Sequence, residues 1–154
     1  RPMYPIKHSY ASFTAGLLFE KKLEDYSFEE LASALETYNA KWIVCWLEQS
    51  KAFFNQYPDY CIKRAEIDKF TIYEVKSEPT FFLKGRGTIH ADYNRLELRD
   101  LVAEDGEVII KYHWMKYLKA DPPVTIARVP VLNDPIGFIK LINPPETVTI
   151  FNGY

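Results

Sequence analysis

Three side chains are spaced so that a fold could join them in acid–base or metal chemistry. His90 and Asp92 are two residues apart, hence on one face of an extended strand, and His113 lies on a later strand. A carboxylate between two imidazoles could relay a proton or hold a cation, but no histidine has a second His or Cys at ligand spacing. The competing reading makes all three partly exposed sheet residues, with no metal. Glu97, Asp100, Glu104, Asp105 and Glu107 also crowd together. Glycoside hydrolysis needs two carboxyl groups about 5–10 Å apart across a cleft. Here the acids surround a turn and read as a solvated rim, and Asp134 before Pro135 reads as a turn residue. No catalytic residue is assigned.

Aromatic side chains are the remaining candidates, since the chain holds 3 Trp, 11 Tyr and 10 Phe, 16% of its residues. Sugar rings stack on such faces, and amphipathic rings also suit membrane interfaces. Tyr112 and Trp114 share one face of a strand and join His90, Asp92 and His113 as ligand-binding candidates. Trp42 and Trp46 read as core, and the Tyr4, Tyr10 and Phe13 arm reads as a seal against another surface.

Other chemistries lack their motifs. There is no GxxxxGK[ST] and no GxSxG, and Gly85-Arg86-Gly87 is a GxG fragment that reads as a bend between strands. No cofactor is expected. Cys45 and Cys61 are too few for a disulfide scaffold or a zinc site; they read as buried thiols, or as a bridge if their strands are neighbours. With 19 Lys+Arg against 21 Asp+Glu the net charge is −2, and without a basic stripe nucleic acid is excluded as the main partner. No run of about 18 apolar residues spans a bilayer.

The elements that must position these residues divide near residue 77. Residues 1–26 read as an arm. From Ser27 a capping box with Glu30 opens a helix whose apolar stripe is Phe28, Leu31, Leu35 and Tyr38, with Asn39 as its stop. Trp42–Leu47 is apolar without alternation, which predicts a strand covered on both faces. Ser50 is the expected cap of a second helix reaching Tyr57, and strands over 61–67 and 70–76 turn at Asp68-Lys69. Residues 27–76 thus form a small α/β lobe.

Beyond it, helical spacing gives way to strands near 80–84, 86–92, 94–101, 107–114, 124–131, 137–142 and 146–151, with a turn at Glu104-Asp105-Gly106. In 107–114, Val108, Ile110, Tyr112 and Trp114 share one face. The fold class is therefore α+β: a small helix/strand α/β lobe, then an antiparallel β-sandwich-like lobe over 77–154.

Several stretches carry a resemblance. Ser27-Phe28-Glu29-Glu30-Leu31 leads to Tyr38-Asn39-Ala40-Lys41-Trp42-Ile43-Val44-Cys45-Trp46; Ser50, Phe54 and Pro58 follow, then Phe70-Thr71-Ile72-Tyr73-Glu74-Val75. Farther on come Val108 to Trp114 and Asn133 to Ile139. Together these resemble the water-soluble tails of polytopic bacterial or archaeal membrane proteins of the GT-C glycosyltransferase type, which include dolichyl-phosphate-mannose mannosyltransferase-like proteins. The resemblance implies a fragment whose Arg1 follows a last transmembrane helix, placed on the extracytoplasmic face. It also implies that the catalytic acids and the lipid-linked donor site lie in the membrane part. The expected function is a non-catalytic accessory domain that supports that site or holds an acceptor glycan, partnered by the transmembrane part of its own chain. The alternatives are a free-standing carbohydrate-binding β-sandwich and, behind it, a small hydrolase using His90, Asp92 and His113.

Overall fold

The computed structural model describes residues 16–19 and 21–153, which divide between Pro79 and Thr80 into two units. His8 and the Tyr4, Tyr10 and Phe13 arm lie outside the described residues. The chain is mostly β, in antiparallel sheets, with two short helices among the described residues.

In the first unit, β1 (Leu17–Leu18) and β2 (Lys21–Lys22) pair, and a 3-10 turn over Leu23–Asp25 buries Leu23. Residues read as an arm therefore belong to this unit. Helix α1 (Phe28–Thr37) begins at the expected capping box: Glu30 N–H donates to Ser27 Oγ at 3.2 Å, and Ser27 N–H donates to Glu30 Oε2 at 3.0 Å. Leu31, Ala34 and Leu35 bury its inner face, whereas Phe28 stays exposed. Asn39 ends the helix at φ +51°, a left-handed conformation its short amide side chain tolerates.

Strand β3 (Trp42–Cys45), helix α2 (Glu48–Phe54), β4 (Cys61–Ile67) and β5 (Phe70–Val75) complete the unit, with sheet order β3-β5-β4. Central β5 alternates as its sequence demands, sending Thr71, Tyr73 and Val75 inward. They join a core with Leu31 and Leu35 of α1 and Phe53 and Phe54 of α2.

Two expectations for this unit are corrected. β3 is an edge strand covered on one face: Trp42 is 57% exposed and Val44 49%, standing opposite Glu74 and Ile72 on the uncovered side. An apolar run reports a need for cover, but both helices of the unit contribute to the core on the Cys45 side. Ser50 caps nothing; Leu47 takes the cap position, and Ser50 is buried within the first turn of α2.

Cys45 and Cys61 are free thiols, because β5 lies between their strands and two inter-strand steps of about 4.8 Å exceed the roughly 7 Å limit for a bridge. Burial pushes both thiols up to about 11 from the ordinary 9.0. A folded-state pKa above the unfolded one means that the unfolded chain ionises first. The contribution to stability is therefore complete below about pH 9 and lost as pH rises toward 11. Urea midpoints for this unit are expected to fall between pH 8 and pH 10.5. A thiol reagent at pH 8 should label neither cysteine until denaturant is added; native labelling would contradict the burial.

The second unit contains β6 (Phe82–Lys84), β7 (Arg86–Asp92), β8 (Arg95–Val102), β9 (Glu107–His113), β10 (Leu118–Asp121), β11 (Thr125–Val131), β12 (Asp134–Ile142) and β13 (Val148–Asn152). One antiparallel sheet has the order β10-β13-β8-β7, the other β11-β12-β9-β6. A single core joins Leu96, Leu98 and Ile150 from the first with Val108, Ile110, Ile139 and Leu141 from the second. The face predicted for β9 holds, with Val108, Ile110 and Tyr112 in that core and Trp114 packed against it.

Turns hand the chain between sheets. Glu104 and Glu107 exchange two backbone hydrogen bonds of 3.0 Å around Asp105 and Gly106, the predicted turn. It joins β8 of one sheet to β9 of the other rather than closing a hairpin within one sheet. Gly85 makes the β6-to-β7 crossing at φ +75°, where a Cβ would stand 2.8 Å from Val102 O, so the GxG fragment is the bend its sequence suggested. Strand β10 was not expected: Leu118 and Ala120 pack on the core, but Leu-Lys-Ala-Asp is too short and too poor in β-branched residues to announce itself.

Candidate functional site

The His90, Asp92 and His113 constellation does not form. His90 and Asp92 are exposed on β7, an edge strand, while the alternating Ile89 and Ala91 pack on the core. They therefore project from the outer face of their sheet. His113 belongs to the other sheet and is buried on the face of β9 opposite Tyr112. The two positions are separated by the core, so no proton relay or shared metal connects them. No group of three or more His, Cys, Asp or Glu side chains among the described residues could hold a metal ion.

His113 instead meets Asp134, a residue read from sequence as belonging to a turn. Its Nε2 lies 3.2 Å from Asp134 Oδ2, an ion-pair distance without hydrogen-bond alignment. Asp134 Oδ1 accepts the Ile136 N–H at 2.8 Å, so the carboxylate does shape the start of β12. The Phe138 ring stands 6.3 Å from the imidazole.

Three of the crowded acids, Glu97, Asp105 and Glu107, are paired with cations. Glu107 accepts from Lys140 at 2.8 Å and Lys84 at 3.2 Å, and these bonds hold its carboxyl below the usual carboxylate range. Glu97 lies 3.2 Å from Arg95 and 3.1 Å from Arg99. A general acid for glycoside hydrolysis needs a raised pKa, the opposite of what the lysines impose on Glu107.

Tyr112 and Trp114 are where a ligand could lie. One end of the second unit opens into a groove of about 810 Å³, floored by Leu96, Tyr112, Ile139 and Ile150, with Asp92 at its rim. The β7–β8 turn supplies Tyr93, 95% exposed, together with Asn94. A second groove of about 400 Å³ is lined by Trp114, Lys116, Tyr117 and Arg128 and shares Met115 and Asn152 with the first. Both volumes fall in the range of about 300–1,000 Å³ usual for small-molecule sites. Asn152 is common to both, and its Oδ1 is itself buried, with no hydrogen-bond partner among the described residues. The chain matches no family model, no curated protein and no solved structure.

In the first unit, the small apolar cavity of about 130 Å³ beside Cys45 and Phe54 lacks both the room and the convergent polar groups for such a ligand. The end groove combines apolar ring faces with amide, carboxylate and guanidinium groups. Asp92 Oδ1 already accepts the Tyr93 N–H at 2.7 Å, which sets the turn that presents the tyrosine. Of the residues lining these grooves, the sequence reading names Tyr112, Trp114 and Asp92 but not Tyr93, Asn152 or Arg128. For Tyr93 the signal was present: Tyr93-Asn94 sits between two alternating strands, and an aromatic at a turn of two exposed residues is not needed by any core.

Proposed function

We propose that the chain is a non-catalytic accessory lobe that holds a glycan, built as a small α/β unit followed by an antiparallel β-sandwich unit. The observation that carries this reading is the pair of adjoining end grooves: Tyr112 and Tyr93 line one together with Asp92 and Asn94, Trp114 lines the other, and Asn152 is common to both. Aromatic faces take the apolar C–H surface of a sugar, and the planar polar groups read its hydroxyls. The tail-like segments around Trp42 and Phe70 support placing the lobe on the extracytoplasmic face of a membrane-embedded glycosyltransferase-like protein, working with its transmembrane part. No described helix is long and apolar enough to cross a membrane. The same groove would serve a free-standing carbohydrate-binding module, and membrane-spanning segments in the same reading frame separate the two.

Trp114 sits in the groove and serves as the reporter. Titration with neutral and acidic oligosaccharides should give saturable changes in tryptophan fluorescence. Tyr93→Ala, on a fully solvated ring, should weaken binding about two- to tenfold, the worth of one stacked ring, while leaving thermal unfolding unchanged. Silence across a broad oligosaccharide panel would overturn the glycan reading.

A further inference from the structure

We infer that the open edge of β3 pairs with β3 of a second copy of the chain, antiparallel and centred on Val44, so that two three-stranded sheets become one. This is independent of the glycan reading. The first observation is that the edge is unguarded. An edge strand presents a row of unpaired N–H and C=O groups, which charges, prolines, bulges or shortness normally shield. Each other edge strand of the three- and four-stranded sheets has such a device. Strand β4 carries Arg64 at a register shift, and β6 is three residues long and ends in Lys84. Strand β7 carries Arg86 and Asp92, β10 stops at Asp121 before Pro122, and Pro130 interrupts β11. Strand β3 is Trp-Ile-Val-Cys, in unbroken register with β5. Val75 N–H donates to Lys41 O at 2.9 Å, and partners alternate along an antiparallel strand, so Ile43 and Cys45 also bond to β5. Trp42 and Val44 therefore turn their backbone groups toward the open edge.

The second observation names the occupant. A two-fold axis through Val44 sets Val44 against Val44, Ile43 against Cys45 and Trp42 against Trp46 of the other copy. The stretch Trp42-Ile43-Val44-Cys45-Trp46 is thus its own complement: an indole meets an indole at either end, every pair is apolar, and both members of each pair share a face of the sheet. At the centre, each Val44 N–H donates to the Val44 carbonyl of the other copy. An axis through Ile43 would set Lys41 against Cys45 and lose that central exchange, because the backbone of Ile43 faces β5. The third observation is room for an inward side chain. The cavity of about 130 Å³ adjoins this strand, lined by Leu17, Leu18, Ile43 and Cys45 among others. Ile43 of the second copy arrives opposite Cys45 and enters it, as alternate side chains do when a strand is added to a sheet edge. On the outer face, Trp42 and Val44, exposed in one copy, gain cover from the other.

Sedimentation velocity of the whole chain, from about 10 μM to about 1 mM, tests this. The seam is short beside the roughly 20–30 residues a side of a stable interface, so dimers should form reversibly, with half the chain dimeric at about 0.1–1 mM. Val44→Lys sets two like charges opposite each other and should weaken association about tenfold or more. Its thermal unfolding should be unchanged, because the side chain faces solvent. Val44→Cys puts two Cα atoms about 5.5 Å apart across the axis, within disulfide range, so mild oxidation should give a covalent dimer. Ile67→Cys, exposed on the β4 edge of the same sheet, should stay uncrosslinked. A chain that remains monomeric at about 1 mM would overturn the inference. So would a dimer that survives Val44→Lys, or one that cross-links equally through either introduced cysteine, the mark of face-to-face association. A monomer that instead binds phosphatidylglycerol vesicles through Trp42 would assign the strand to a bilayer surface and likewise refute the pairing.

Discussion

Gly137→Ala is expected to destabilise the second unit by about 2–4 kcal/mol and to abolish ligand binding in the end groove. Gly137 lies in β12 at φ +72°, and a Cβ there would fall 2.3 Å from the backbone oxygen of Val129 on paired strand β11. A backbone atom cannot rotate away as a side chain can, so the β11–β12 ladder must part. Left-handed backbone costs a side-chain-bearing residue roughly 1–2 kcal/mol, and each ladder hydrogen bond lost adds about 0.5–1.5 kcal/mol. The effect reaches the groove because Gly137 O accepts the Trp114 N–H at 3.0 Å. Moving that oxygen moves the indole. Urea denaturation with near-ultraviolet circular dichroism reads the first consequence and oligosaccharide titration the second. A variant with unchanged midpoint would show that β12 has room the structure does not display.

Tyr73→Ala should cost the first unit about 3–5 kcal/mol, as large aromatic truncations in a core do. Tyr73 is 1% exposed in the middle of the central strand, its ring centroid 5.8 Å from that of Phe54. Its hydroxyl donates to Asn55 Oδ1 at 2.9 Å. Tyr73→Phe separates the two contributions. It keeps the ring and leaves behind the exposed amide of Asn55, which can turn to water, and the Lys51 carbonyl, which still accepts the Asn55 N–H at 2.9 Å, so a loss of about 1 kcal/mol is expected. Nearly equal losses for the two variants would mean that the hydrogen bond, rather than the ring, holds β5 against α2.

What could be read from the sequence was local. The Ser27–Glu30 box, the alternation of β5 and the bend at Gly85 are each decided by residues within a few positions of one another, and all three stand as expected. Trp42 went astray because composition records that a strand is apolar but not whether a second layer arrives to cover it. Ser50 went astray because several residues near a helix start can accept from the backbone, and packing decides which of them does.

The site shows the same division. Tyr112 and Trp114 were visible as one face of one strand. Arg128 and Asn152 were not, because β11 and β13 bring them beside Trp114 from distant parts of the chain through pairings that no local pattern specifies. The failure of the His90–His113 constellation has the same origin. The strands of both histidines were placed correctly; their assignment to opposite sheets was the missing information.

The strand order β10-β13-β8-β7 also sets a timetable for folding. The β7–β8 and β11–β12 hairpins close over short turns and can form as soon as they are synthesised, but β13 is an interior strand whose Val148 pairs with Leu98 of β8. Until residues 148–152 emerge, β8 has one open edge and β10 has no partner at all. Loop-closure entropy must be met before this non-local pairing returns anything, so the unit should fold slowly and late. A chaperone or a ribosome-bound intermediate would meet it with its apolar Leu96 and Leu98 face still waiting for Ile150.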